Sequence, residues 1–267
     1  MFDKIVKIEY NIFVDKLGIK KETKFCYSIL ESNKKDFIEK VIEVDNEKKC
    51  MIELRLDYLL ASGVSIEEII ALISLIKKKY TNKKLIATIR TIGEGGRVDL
   101  SKEKYFYFIK LLYLKTYVSA IDVEYKFYKI DKQYYDSLFS KRKKDVIISI
   151  HFFDRVFFEN EYKNIFAEMA SSTGNIIKFA IKTYTANDLF TFMMVARKSY
   201  PIFKKQGKKV VFIAMGDVGK VSRIWHEFTN TRIVFLNAYV DEDKSLGQFN
   251  RNIYLKYRKL LAKKSKN

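Results

Sequence analysis

Cysteine is scarce in this sequence: Cys26 and Cys50 are the two among 267 residues. Two cysteines cannot build a disulfide framework, and with no His or Cys neighbours at ligand spacing they do not make a zinc site; no metal is expected. Both are expected as small core residues. Long apolar runs are lacking too. None approaches the roughly 18 to 20 residues that a spanning helix needs, so no membrane association is expected. The opening Met1-Phe-Asp-Lys-Ile5 lacks the charged-then-apolar layout of a signal peptide, and a cytoplasmic location is expected. No linker, repeat or low-complexity segment interrupts the chain before the Lys-rich tail after Leu261. One domain over residues 1–267 is therefore expected.

What is present is enough apolar material for a sizeable core, 48% of residues, and a large basic excess, +19 at neutral pH. Such a charge gives any protein some affinity for phosphate backbones through counterion release. Here the cations are scattered, in Lys20-Lys21, Lys34-Lys35, Lys77-Lys79, Lys141-Lys144, Lys204-Lys205 and Lys208-Lys209. They fall mostly at helix ends and loops, where they solvate the surface and complement helix dipoles, which argues against a nucleic-acid track. The overall field still draws small anions inward.

From Lys24 onward, short β-rich runs alternate with amphipathic helical stretches. Eight strands are predicted: 25–30, 51–57, 85–91, 118–125, 146–152, 176–183, 210–215 and 232–240. Helices are predicted between and after them at 34–44, from a capping box at Ser65-Ile-Glu-Glu68, and at 101–114, 128–140, 159–171, 186–204, 220–228 and 249–263. Eight β-then-α units with strands apolar on both faces predict a (β/α)8 barrel. A doubly wound open sheet is the runner-up, but its early Gly-rich dinucleotide loop is absent. Ahead of the first strand, Ile5–Ile8 and Asn11–Val14 predict a β-hairpin closing the barrel bottom.

In a barrel the chemistry belongs at the C-terminal ends of the strands, and the awkward polar residues of this chain fall there. Strand two ends Glu53-Leu-Arg55-Leu-Asp57, an alternation that predicts all three polar groups on one face. Strand three runs into Arg90-Thr-Ile-Gly-Glu94-Gly-Gly96, with glycines expected to let the backbone approach a ligand. Strands four and five supply Asp122, Glu124, Ser149 and His151. Strand seven leads from Met215 into Arg223. In Asn175–Thr183, a β-branched run, Lys178 stands where an apolar residue is expected. A buried ammonium costs several kcal/mol, roughly, unless it finds a carboxylate or loses its proton, and a neutral amine is a nucleophile toward ketones. Each of these residues has a bland reading, in strand-end solvation or core hydrogen bonding. Together they suggest an anionic, hydroxylated substrate processed through an imine, with a histidine moving protons.

The motifs Glu53-Leu-Arg-Leu-Asp57, Thr88-Ile-Arg-Thr-Ile-Gly-Glu-Gly-Gly96, Ile121-Asp-Val-Glu124, Ile148-Ser-Ile-His151, Ile177-Lys-Phe-Ala180, Met215-Gly-Asp-Val-Gly-Lys-Val-Ser-Arg223 and Gly247-Gln248 resemble type I 3-dehydroquinate dehydratases in order and spacing. The resemblance covers about the whole chain. It implies a homodimeric barrel that dehydrates 3-dehydroquinate in the shikimate pathway without metal or organic cofactor. On this resemblance Lys178 forms the imine, His151 is the acid and base, and Glu94 orients His151. Arg223 clamps the substrate carboxylate, and Glu53, Arg55 and Arg90 hold ring hydroxyls. Met215 and Phe235 are apolar walls, Gln248 is the lid glutamine, and Asp122 and Glu124 stand behind His151 and Lys178.

One departure concerns the lid, where the family's Ser-Ala-Pro-Gly-Gln is here Lys244-Ser-Leu-Gly-Gln248. Either Lys244 replaces the substrate-binding serine or Ser245 takes its place through a one-residue shift. Two readings of other kinds are a different imine-forming barrel such as an aldolase, and an inactive basic barrel that binds a polyanionic partner. The first has no need of Arg223 with Gln248. The second would be expected to lose its mouth residues, which are intact.

Overall fold

The structure, a computed structural model, describes residues 24–47, 50–141, 143–239 and 248–263. The expected hairpin over Ile5–Ile8 and Asn11–Val14 lies outside them, as do Lys244 and Ser245. Eight parallel strands follow one another with helices between. They are β1 (Lys24–Ile29), β2 (Cys50–Arg55), β3 (Lys84–Thr88), β4 (Ala120–Glu124), β5 (Asp145–Phe152), β6 (Ile176–Lys182), β7 (Lys209–Met215) and β8 (Ile233–Asn237). Their order in the sheet is β7-β6-β5-β4-β3-β2-β1-β8, so the sheet curls into a nearly closed barrel with β7 and β8 at its ends. The helices are α1 (Lys34–Asp45), α2 (Leu56–Ala61), α3 (Ile66–Lys79), α4 (Lys102–Lys115), α5 (Tyr125–Ile130), α6 (Lys132–Phe139), α7 (Glu159–Ala170), α8 (Ala186–Lys205), α9 (Gly216–Ile224) and α10 (Arg251–Lys263).

The strands are buried on both faces because each face meets a different apolar layer. Outward residues such as Ile52, Leu54, Ile121, Val123, Ile177 and Phe179 pack under the helices. Inward residues, including Cys26, Met51, Ile86, Ala120, Ile147, Ile176, Val211 and Ile233, fill the barrel interior. Two residues further along β1 to β6 the inward positions turn polar, and Ser28, Glu53, Thr88, Asp122, Ser149 and Lys178 are all buried, whereas β7 and β8 stay apolar with Ile213 and Phe235. Cys26 and Cys50 are buried and free, as expected.

Local chemistry explains the helix starts. Ser65 accepts from the Glu68 amide at 3.2 Å while Glu68 accepts from the Ser65 amide at 3.0 Å, the predicted capping box. Lys77, Lys78 and Lys79 sit in the last turn of α3 as the helix dipole favours, whereas Lys34 and Lys35 open α1 at the wrong pole. Lys34 pairs with Glu68 at 2.7 Å instead. Two helices depart from expectation. The run expected at 128–140 is split at Asp131, whose carboxylate accepts from the Tyr134 amide at 3.1 Å and starts α6 afresh. The helix expected from Lys220 begins at Gly216, where a φ of +80° turns the chain directly out of β7.

Candidate active site

A cavity of about 370 Å³ opens at the C-terminal ends of the strands, and the predicted polar residues line it. Glu53 and Arg55 reach it from β2, Arg90 and Glu94 from the segment after β3, His151 from β5 and Lys178 from β6. Met215, Arg223, Phe235 and Gln248 complete the wall, with Ile213 and Ala180 between them.

Lys178 is 5% exposed. Its ammonium lies 3.2 Å from Glu53 Oε1 and 3.6 Å from Asp122 Oδ2, and 4.1 Å from the centroid of the Phe235 ring. The buried amine therefore has two carboxylate partners and an aromatic face, the compensation that burial of a cation requires. Glu53 is itself held by Ser28 at 2.5 Å and Thr88 at 3.0 Å. Burial acts to raise its pKa, but Lys178, Arg55, the Ser28 hydrogen bond and Arg90 together hold it at about 2.

His151 stands on the strand next to Lys178. In register, Ser149 pairs with Lys178 and His151 with Ala180, which puts the imidazole one inward position nearer the mouth. Its Nδ1 lies 2.9 Å from Glu94 Oε2. Burial disfavours charge on both partners. It raises Glu94 to about 8 against the pull of Arg90, with Glu124 and Asp122 adding to the rise. It also lowers His151 well below its ordinary 6.5, with Arg90, Lys178 and Arg55 pushing the same way.

Arg90 ties these groups together from below. Its guanidinium donates to Asp122 at 2.8 Å, Ser149 at 2.9 Å, Glu94 at 3.2 Å and Glu124 at 3.3 Å. Ser149 in turn donates to Asp122 at 2.5 Å. Glu124 accepts from the Thr91 amide and hydroxyl, both at 2.8 Å, which fixes the start of the loop carrying Glu94. Asp122 Oδ2 and Glu94 Oε1 are buried without hydrogen-bond partners, the first facing the Lys178 ammonium at 3.6 Å.

A model of the type I 3-dehydroquinase family matches residues 25–252. The chain belongs to that family. It is 29% identical to the 3-dehydroquinate dehydratase of Streptococcus suis over 228 residues, 84% of this chain and 91% of the relative. It is 30% identical to that of Streptococcus pneumoniae over 212 residues, 79% of this chain and 87% of the relative. Among solved structures, type I 3-dehydroquinate dehydratase from Clostridium difficile shares the fold at a TM-score of 0.81 and 22% identity, covering 91% of this chain and 94% of that one.

Within this type I 3-dehydroquinase fold, the predicted set divides in two. Glu53, Arg55, Arg90, Glu94, His151, Lys178, Met215, Arg223, Phe235 and Gln248 meet at one cavity, while Asp122 and Glu124 are absent from its lining and touch Lys178 and Arg90 instead. Asp57 departs from the expected common face. Strand geometry ends at Arg55, and Asp57, in the first turn of α2, folds back to pair with Arg55 through two bonds of 2.8 and 2.9 Å. The glycines after Glu94, Gly95 and Gly96, line the cavity. A Cβ on Gly96 would lie 1.8 Å from the Arg90 carbonyl oxygen, so the close approach it permits is of the chain to itself. Sequence reasoning missed Ser28 and Thr88 behind Glu53, and Tyr58, Arg97 and Phe153 in the cavity wall. The period-2 spacing of Ser28 from Cys26 was the signal that could have found the first of them.

Proposed function

We propose that this chain dehydrates 3-dehydroquinate to 3-dehydroshikimate by syn elimination through an imine on Lys178. The observation that carries the reading is the pairing of one buried inward lysine with one histidine on the neighbouring strand, the histidine already held by a carboxylate. Lys178 in its neutral form attacks the substrate ketone, and loss of water leaves an iminium that withdraws electrons from the adjacent carbon. His151 removes a proton from that carbon through the nitrogen not engaged by Glu94. The resulting enamine expels the neighbouring hydroxyl, which leaves as water with the proton His151 returns. Hydrolysis of the conjugated imine frees the product and restores the amine, so one water is lost overall.

The remaining side chains bind and orient. Arg223 takes the substrate carboxylate as a planar two-pronged donor, and Arg55, fixed by Asp57, meets a ring hydroxyl. Glu53 and Arg90 face the ring while holding Lys178 and Glu94 in place, and Asp122 and Glu124 brace Arg90. Met215 and Phe235 form apolar walls. Gln248 closes over the ligand, joined by Lys244 or Ser245 from the segment outside the described residues. On the same reading the enzyme acts as a homodimer in the cytoplasm and needs neither metal nor organic cofactor.

The test is chemical trapping. Borohydride added during turnover of 3-dehydroquinate should reduce the imine and fix the substrate to Lys178, giving a mass adduct that maps to that residue. Turnover without an adduct, or an adduct on another lysine, would overturn the assignment.

A further inference from the structure

We infer that Arg97 is the residue that captures the anionic substrate at the mouth of the cavity, with Tyr58 holding its guanidinium in position. This deepens the proposed dehydration and rests on it. Lys178, Arg90 and Arg55 each have a carboxylate within 4 Å, so seen from outside much of their charge is cancelled, and the fourth inner cation, Arg223, is buried. Arg97 lines the same cavity, is exposed, and has no carboxylate within that distance among the described residues. An uncompensated cation at the rim of a pocket contributes field where an approaching anion first feels it.

The side chain is also held in place, unlike an ordinary surface arginine. Its guanidinium lies 5.1 Å from the centroid of the Tyr58 ring, and that of Arg55 lies 5.3 Å from the same ring. Stacking at such distances restricts a flexible side chain without neutralising it. The backbone beneath is fixed as well. The Ile92 amide donates to Val98 at 2.9 Å and the Gly96 amide donates to Thr91 at 2.9 Å, closing the neck of the loop that carries Arg97. Glu94, the partner of His151, belongs to that loop, so Arg97 is built into the frame of the site.

A rim charge acts on encounter and is screened by salt, whereas a group at the reacting atoms acts on turnover. With 3-dehydroquinate as substrate, Arg97→Gln is expected to lower kcat/KM about fivefold at low ionic strength and to hold kcat. The gap should close to less than about twofold near 0.5 M salt, where screening acts within a few ångströms. Arg97→Lys, which keeps the charge, should recover most of the loss, and Tyr58→Leu should reproduce part of it. A wild-type kcat/KM and salt dependence in Arg97→Gln would overturn the inference. So would a proportional fall in kcat that lysine does not rescue, since that would make Arg97 a support for the Glu94 loop. Titration calorimetry with quinate, which keeps the ring carboxylate and hydroxyls but has no ketone, separates this inference from the proposed reaction. Weaker quinate binding in Arg97→Gln, by a margin that closes as salt is added, upholds capture even for a protein that fails to turn over 3-dehydroquinate, and equal binding in both proteins at low salt refutes it.

Discussion

Replacing Glu53 with glutamine tests how the barrel keeps a lysine buried. The carboxylate is held at about 2 against an ordinary 4.5, so its ionised form is favoured by the fold. Linkage converts that difference to about 3 kcal/mol of stability. Because the folded value is depressed, this contribution is fully present above about pH 4.5 and is lost as pH falls toward 2. Glu53→Gln removes it at every pH, leaving Lys178 with Asp122 at 3.6 Å as its remaining carboxylate. The amide oxygen can still accept from Ser28 or Thr88, which limits the loss to the charge. Urea unfolding of the wild type and Glu53→Gln at several pH values therefore has a definite expected form. The variant is less stable by about 3 kcal/mol at pH 7, and the gap narrows as pH falls through 4 toward 3. Other carboxylates protonate in both proteins and largely cancel in the difference. A gap that stays constant from pH 7 to pH 3, or a variant as stable as the wild type at pH 7, would refute the reasoning.

Two further outcomes follow from the His151 and Glu94 pair. His151→Ala should still give the borohydride adduct on Lys178 while eliminating about 10² to 10⁴-fold more slowly, and near-normal turnover would make the histidine structural. Since burial places Glu94 at about 8, and His151 is a base at its other nitrogen only when Glu94 is ionised and accepts from Nδ1–H, kcat/KM should rise with pH through about 8. An unchanged rising limb in Glu94→Gln would show that another group controls it.

The barrel was readable because each strand is apolar on both faces, so the runs around Ile148, Ile177 and Phe212 stood out even without alternation. The inward polar residues were readable for the complementary reason. A charge at a period-2 position within such a run, as at Glu53, Asp122 or Lys178, has no solvent to face and must serve a purpose. Ser28 and Thr88 gave a weaker signal, their period-2 position alone, because small hydroxyl residues are ordinary in strands. Arg97 and Tyr58 were invisible for a different reason. Neither lies in a strand: Tyr58 sits in a helix of six residues and Arg97 in a loop closed by backbone hydrogen bonds. Asp57 misled because the alternation that set its expected direction ended at Arg55, two residues before it.

The ends of the sheet show how binding and folding share residues. The strands β7 and β8 are its two ends, so the outer edge of β7 carries backbone groups that no strand among the described residues satisfies. Side chains take the place of a strand. The Phe212 amide donates to the Thr231 hydroxyl at 2.9 Å, the Ala214 amide donates to the Ser222 hydroxyl at 3.0 Å, and the Ala214 carbonyl accepts from Arg223 at 2.8 Å. Gly219 makes the approach possible, since a Cβ there would lie 2.6 Å from the Ala214 carbonyl carbon. Ser222 and Arg223 therefore seal the barrel where its ladder is interrupted, and sealing it fixes the backbone of α9 against β7. The arginine assigned to the substrate carboxylate is thus tethered to the edge it closes, with one nitrogen donating to Ala214. A lysine at this position would have to serve the Ala214 carbonyl and a substrate from the same nitrogen, whereas a guanidinium can divide those tasks between nitrogens, so the seam is a reason for arginine that operates before any substrate arrives.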